Sequence, residues 1–241
     1  MNFSDLRLNL IQKAKSDIKS AIGKDHIVIN AINNIEEIDK VCNSLVMRLR
    51  DWVSLINPEF ESAVKDNEKF VSLFLEGNLN DSEMGAVFED VDVNMIKLVA
   101  NNVLSLYSLR NDILSYLKSV LEKFAPNLLY IAGTTISAKL LREAGSLRAL
   151  AFQRSTVIQI YGAEKALFRH IKTGARPPKY GYLLAHPLVA QAKTSVRGKV
   201  ARALADKISL CVRMDFFKGD FVADKVFDEL KVKFGDYSGS D

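Results

Sequence analysis

Two cysteines, five prolines, three histidines and one tryptophan in 241 residues leave whole classes of chemistry short of the side chains they need. Cys42 and Cys211 have no metal-type spacing. Each falls on an apolar helical face, the setting of a buried thiol in a reducing compartment. His26, His170 and His186 form no His-Glu-x-x-His pattern, and no nucleophile elbow occurs. No catalytic residue, metal site or cofactor is therefore predicted, and the chain reads as a non-enzyme. His26 is expected in solvent, His170 beside a packed face, and His186, just before Pro187, in a turn. No apolar run reaches membrane-spanning length. Met1 to Asp5 leads into an amphipathic helix rather than a secretory leader, so no membrane partner is expected. What is plentiful is apolar content of 48% with charge of 26%, the composition of a globular protein with a real core.

The net charge of +4 is unevenly placed. Residues 1–124 carry 14 Lys and Arg against 19 Asp and Glu, a balance of −5. Residues 125–241 carry 19 against 10, a balance of +9, and the run from Lys139 to Lys218 reaches 16 against 4. An acidic front half suits protein contacts. A basic back half attracts a polyanion, most often nucleic acid.

The periodicities are helical throughout, so the expected class is all-α. A first amphipathic helix over 4–22 has Ser4 as N-cap and Leu6, Leu10, Ala14, Ile18 and Ala21 as its stripe. Gly23 ends it and Asp25 is placed to cap the next. Over 26–56, Val28, Ala31, Ile35, Ile38, Cys42, Leu45, Leu49, Trp52 and Ile56 alternate spacings of three and four, the sign of a coiled-coil seam. Residues 59–75 read as one further helix, and the acidic stretch from Glu76 to Asp92 as an irregular hairpin tip. Over 93–124 a second seam runs through Ile96, Val99, Val103, Leu106, Arg110, Ile113, Leu117, Val120 and Phe124. The two seams predict an antiparallel coiled-coil hairpin about 45 Å long. Leu98, Leu109 and Tyr116 lie outside it, as surface for a third helix or a second protomer.

Ala125-Pro126 marks the expected domain boundary, followed by a compact set of shorter helices. Gly133 begins a run without P-loop spacing and reads as close packing. A helix capped by Thr194 or Ser195 and running to Phe216 is apolar over a wide arc, so it is expected at the domain's centre. Its Arg202 and Asp206 are expected to pair with each other. A final helix covers 221–234. The expected division is 1–124 as a helical, coiled-coil self-association domain, 125–235 as a helical binding domain and 236–241 as a frayed tail.

One stretch, GAEKALFRHIKTGARPPKYG from Gly162 to Gly181, concentrates the basic charge. Lys165, Arg169 and Lys172 share one helix face, while Ala163, Leu167 and Ile171 lie opposite and are expected to pack. Phe168 is expected to be buried. Gly174 stops the helix, Pro177 and Pro178 stiffen the exit, and Arg176 and Lys179 keep the same sign. A lone stripe of this kind is more often an ordinary solvated face. The added basic loop favours a surface that meets phosphates.

The same stretch resembles the signature of the Nop domain. Blocks on either side agree: APNL from Ala125, SAKLL from Ser137, AGSL from Ala144, RGKVARALADKI from Arg197 and RMDFF from Arg213. Upstream, INAI from Ile29 and LRDW from Leu49 resemble the family's coiled coil. The resemblance implies an all-α fold, a long antiparallel coiled-coil hairpin followed by a compact helical Nop domain. It implies a non-catalytic scaffold of box C/D ribonucleoproteins, which act in guided RNA 2′-O-methylation. The expected partners are a kink-turn RNA, a small kink-turn-binding protein of ribosomal type, and a second copy through the coiled coil. The residues before Asp25 are too few for the family's fibrillarin-recruiting domain, so fibrillarin recruitment is not expected of this chain. The absence of a Lys-rich C-terminal tail favours an archaeal-type, cytoplasmic protein; a eukaryotic one would be nucleolar or nuclear.

By that resemblance Lys165, Arg169, Lys172, Arg176, Lys179, Lys193, Arg197 and Lys199 are the expected RNA contacts, setting position on phosphates rather than reading sequence. Gly162, Ala163, Glu164, Ala166 and His170 are the expected composite contact with RNA and small protein together. Tyr180 and Tyr182 are further candidates for stacking on splayed bases. The competing class is a protein–protein assembly scaffold, or a relative of pre-mRNA-processing type, without a direct methylation role.

Overall fold

The computed structural model describes residues 3–77 and 84–234, and no strand occurs among them. The Ser4 side chain, residues 78–83 of the acidic tip and the tail 235–241 lie outside the described residues. In chain order the helices are α1 (Phe3–Ala21), α2 (Lys24–Ile56), α3 (Pro58–Ala63), α4 (Asn67–Leu75), α5 (Asp90–Phe124), α6 (Pro126–Ala144) and α7 (Leu147–Ala151). They continue with α8 (Ser155–Ile160), α9 (Glu164–Thr173), a 3-10 turn (Tyr182–Ala185), α10 (Pro187–Ala190), α11 (Arg197–Phe216) and α12 (Ala223–Phe234). The chain forms two compact units, residues 33–116 and residues 1–32 with 117–241. Among the described residues no helix is long and apolar enough to cross a membrane.

In the unit 33–116, α2 and α5 run antiparallel. Arg110 Nε donates to Asp39 Oδ1 at 2.5 Å. One heptad further up α2 and down α5, Val46, Leu49 and Val53 share a core with Val103, Ala100 and Ile96. Part of the seam differs from the sequence expectation by one residue. Ala31 is buried as expected, and Leu45 packs at the edge of the core. Asp39 pairs across the interface beside the expected Ile38, Val46 is fully buried beside Leu45, and Val53 is fully buried while the expected Trp52 is 44% exposed. On α5, Ala100 is buried in place of Val99. The reason is that spacings of three-four and four-three share half their positions. Choosing the more apolar neighbour picked Ile38 over Asp39, yet Asp39 is the residue whose carboxylate matches Arg110.

The expected single helix over 59–75 is two. Asn57 Oδ1 accepts from Phe60 N at 2.8 Å and Asp66 Oδ1 from Lys69 N at 2.9 Å, so each short helix has its own cap. The break between them is held by Arg50, which is buried. Its guanidinium donates to Asn67 Oδ1, Glu61 Oε1 and the carbonyls of Glu61, Val64 and Lys65, and lies 4.2 Å from the Phe70 ring centre. Leu98, Leu109 and Tyr116 stay exposed on this unit, as expected of residues off the seam.

In the other unit α11 packs on α6, α7, α8, α10 and α12, burying Val200, Leu204, Ile208 and Val212. Its central place matches its wide apolar arc. Val196 is the residue before the helix and no side chain caps it, contrary to the role expected of Thr194 or Ser195. Arg202 and Asp206 make no ion pair with each other among the described residues. Asp25 serves a distant helix: its Oδ1 accepts from Leu147 N at 3.1 Å, at the start of α7. Both cysteines are free and buried, and burial pushes the Cys211 thiol up to about 12.

Two polar networks tie this unit together. Asp215 accepts from the Asn127 and Leu128 amides at 3.0 and 2.8 Å, capping α6, while Asn127 Oδ1 accepts from Val222 and Ala223 N at the start of α12. The second network repairs a kink. Gly133 has φ 75 and ψ 167 inside α6, a left-handed-side conformation that frees carbonyls of the preceding turn. Ser137 Oγ donates to Leu128 O at 3.1 Å and His186 Nε2 to Ile131 O at 3.0 Å. A Cβ on Gly133 would meet nothing within 4 Å, so Gly133 serves backbone conformation and not the close packing its neighbours suggested. His186 is accordingly a core residue, with Nδ1 accepting from Leu188 N at 3.3 Å to start α10.

Candidate nucleic-acid interface

Helix α9 stands on the surface with no buried residue. Its entry is a turn that only glycine fits. Gly162 has φ 85, and a Cβ there would lie 2.6 Å from the Tyr182 ring. The Gly162 amide donates to Glu164 Oε1 at 2.7 Å, so this acid folds back to close the helix start. Tyr182 is fixed in turn: its hydroxyl donates to Glu143 Oε1 at 2.9 Å and accepts from Arg142 Nη2 at 2.8 Å. Burial and the Glu143 hydrogen bond push the Tyr182 phenol up. Tyr182 thus acts as the floor under Gly162. Its ring is therefore turned to Gly162, where the sequence suggests a base-stacking face.

The helix exit is also fastened. Gly174 takes φ 68 and its amide donates to His170 O at 2.9 Å, while His170 Nδ1 contacts Ala175 O. The loop then returns to α8: Gln159 Nε2 donates to Lys179 O at 2.6 Å, Gly181 N to Gln159 O at 3.0 Å, and Tyr182 N to Tyr161 O at 2.8 Å. A Cβ on Gly181 would sit 1.9 Å from Tyr161 O. This places the Lys179 side chain against Gly198, where a Cβ would lie 3.3 Å from Lys179 Cδ. Lys179 therefore meets the start of α11, which carries Arg197 and Lys199.

Lys165, Arg169 and Lys172 share the outer face of α9 and, with Arg176 and Lys179, make no ion pair among the described residues. Lys193 and Lys199 are exposed as well. Arg197 is partly committed, its guanidinium donating to Ala192 O at 3.1 and 3.2 Å and to Ala190 O at 3.2 Å. The inner face differs from expectation. Ala163, Ala166, Leu167 and His170 are half-buried, whereas Phe168 is 60% and Ile171 68% exposed. Phe168 falls beside the basic stripe at 100° per residue, too far round to reach the core under Leu167. Sequence reasoning missed this apolar strip. Ile171, expected to pack at the end of the Ala163–Leu167 row, is exposed instead, and its i,i+3 spacing from Phe168 was the signal. It also missed Gln159, whose amide pins the loop.

A surface helix held at both ends, with unpaired cations beside exposed Phe168 and Ile171, offers phosphate contacts and an apolar contact on one edge. Comparison with known proteins places the fold that carries it. The Nop family, described as "snoRNA binding domain, fibrillarin", matches residues 34–234. The chain belongs to the Nop family. It is 35% identical, over 90% of its own length and 58% of the relative's, to an uncharacterized NOP5 family protein of Methanocaldococcus jannaschii. Nucleolar protein 58 of Schizosaccharomyces pombe is 34% identical over 79% of this chain and 42% of the yeast protein. Nucleolar protein 56 of Caenorhabditis elegans is 33% identical over 91% and 52%. The chain thus spans about half the length of these curated relatives. A chain in a solved fibrillarin/Nop5p complex shares its fold, with TM-score 0.60 over 98% of this chain and 78% of that one at 22% identity.

Proposed function

We propose that this Nop-family chain is a non-catalytic scaffold that binds a kink-turn RNA together with a small kink-turn-binding protein, as in box C/D particles that guide RNA 2′-O-methylation. The observation that carries the reading is α9 itself. Its cations make no ion pair among the described residues, its ends are fastened, and its apolar residues Phe168 and Ile171 are exposed. Lys165, Arg169, Lys172, Arg176 and Lys179 take phosphates, with Lys193, Arg197 and Lys199 extending the footprint along the start of α11. Gly162 and Ala163 allow close approach, and Phe168 and Ile171 meet the small protein. Ala166 and His170 hold the helix from its inner face, and Glu164 closes the helix start. RNA recognition of this kind reads shape, because the A-form major groove is closed to side chains.

Residues 125–235 supply this binding domain, and 1–124 the coiled coil through which two copies associate. Exposed Leu98, Leu109 and Tyr116 support that second role.

A titration of kink-turn RNA with and without the small protein tests the reading. Weak binding to naked RNA and much tighter binding to the RNA–protein complex are expected, with a salt slope that falls by nearly one for each phosphate contact removed. Lys165→Glu with Arg169→Glu should abolish the ternary complex and leave the circular-dichroism spectrum unchanged. Survival of the complex in that variant would misplace the site. Absence of any RNA affinity, with the small protein present, would favour a protein-only assembly scaffold. A light-scattering mass near that of one chain would refute self-association.

A further inference from the structure

The C-terminal end of α11 carries a second surface with its own chemistry. Phe152, Phe216 and Phe217 form a triangle of edge-to-face rings, with centres 5.9, 6.3 and 5.0 Å apart. Such contacts usually mark a core, yet here Phe152 is 67% and Phe217 66% exposed. A cleft of about 410 Å³ opens close by, lined by Arg154, Ser155, Asp206, Ser209, Leu210 and Arg213. Arg213 joins the two features. Its Nε donates to Ala151 O, beside Phe152, and it lies one turn before Phe216 and Phe217 on α11. Arg154 forms no ion pair or hydrogen bond through its side chain among the described residues. Ser209 is only 5% exposed, and its hydroxyl has no partner among them. Among the described residues no fully enclosed side-chain polar atom lacks a partner, so that hydroxyl is reachable, and the cleft it lines gives the access.

We infer that this face is a binding site for a single-stranded RNA segment, separate from α9: a backbone phosphate enters the Arg154–Arg213 cleft and an unpaired base stacks on Phe152 or Phe217. Flat aromatic faces beside a cationic groove are the arrangement that single strands use, since every base has a stacking face. A protein anchor would want a deep apolar pocket. The neighbouring cleft is instead polar, with a donor hydroxyl at its base. Asp206 on the cleft wall gives an acceptor for a ribose 2′-hydroxyl, a group found in RNA and not in DNA. Arg148 and Lys218, both exposed, extend the positive field around the rings.

The test uses the full chain with Lys165→Glu and Arg169→Glu, so that the α9 edge is silenced and the two readings fail separately. The probe is a short fluorescein-labelled oligouridylate read by anisotropy, with a duplex of the same length as control. Single-strand binding should persist in this background. Phe217→Ser should weaken it roughly tenfold, the scale of one lost stacked base, and Arg154→Glu at least as much, with duplex binding unmoved by Phe217→Ser. Neither substitution removes a hydrogen bond within the described residues, and an unchanged circular-dichroism spectrum verifies the fold. The inference is overturned if the α9 substitutions alone abolish single-strand binding, or if Phe217→Ser leaves it unchanged. It is equally overturned if a labelled Asp- and Glu-rich peptide occupies this face and the oligouridylate does not.

Discussion

Replacing His186 by alanine tests how the kink that shapes α6 is sustained. The imidazole makes two bonds in a buried setting, Nε2 to Ile131 O at 3.0 Å and Leu188 N to Nδ1 at 3.3 Å, and its ring meets Phe227 edge-on at 6.2 Å. Removing it leaves the Ile131 carbonyl unsatisfied, at about 1–3 kcal/mol, and uncaps α10, at about 1 kcal/mol. His186→Ala should therefore cost about 2–4 kcal/mol, which for a chain of this size lowers the melting temperature by about 10 °C. Its pH dependence carries a distinct sign. Burial pushes the His186 imidazole below its ordinary value, with the Ile131 hydrogen bond opposing. Below about pH 6.5 the unfolded chain takes up a proton that the folded chain refuses. The stability from neutral His186 is thus complete above that pH and is lost as pH falls towards the depressed folded value. Calorimetric melting from pH 8 to 5 should show an acid limb in the parent that is flatter in His186→Ala. An equal acid slope in both proteins, or a loss under about 1 kcal/mol at neutral pH, would refute the argument.

Three further outcomes follow from other contacts. Arg50→Ala takes the donor from the Val64 and Lys65 carbonyls and the cation from part-exposed Glu61, so it should cost about 2–3 kcal/mol; Trp52 fluorescence during urea unfolding reads the unit concerned. Asp215→Ala uncaps α6 and strands the Asn127 amide, with an expected loss of about 2–3 kcal/mol and faster hydrogen exchange at Asn127 and Leu128. Gly162→Ala meets both a positive φ and the Tyr182 ring, so α9 must shift; the proposed ternary complex should weaken at least tenfold while the melting temperature changes little more than about 2 kcal/mol would move it.

How much was legible in the sequence depends on the kind of pattern. The long helices, the central place of α11 and the shared outer face of Lys165, Arg169 and Lys172 follow from a 3.6-residue period, which needs only the order of apolar and charged residues. The coiled-coil register was legible to within one residue and no closer. The apolar pattern favoured Ile38 over Asp39, and what reversed that choice was the Asp39–Arg110 pair, 71 positions apart in the chain. The break at α3 and α4 was hidden for a similar reason, since the carbonyls it exposes are satisfied by Arg50 from another helix.

The same division runs through the surface features. From its order of residues alone the chain determined an all-helical fold, two long antiparallel seams, a basic back half and a signature stretch with glycine at both ends. These are local, and each is set by propensity, periodicity or charge count. Tertiary structure alone decided that Glu164 turns back on the Gly162 amide, that His186 answers the carbonyl freed at Gly133, and that Phe168 points outward. It alone brought Phe152 beside Phe216 and Phe217, next to Arg154 and Arg213. Each of these depends on which distant group lies within hydrogen-bond or van der Waals reach, and that is a property of the packed chain, absent from the order of its residues.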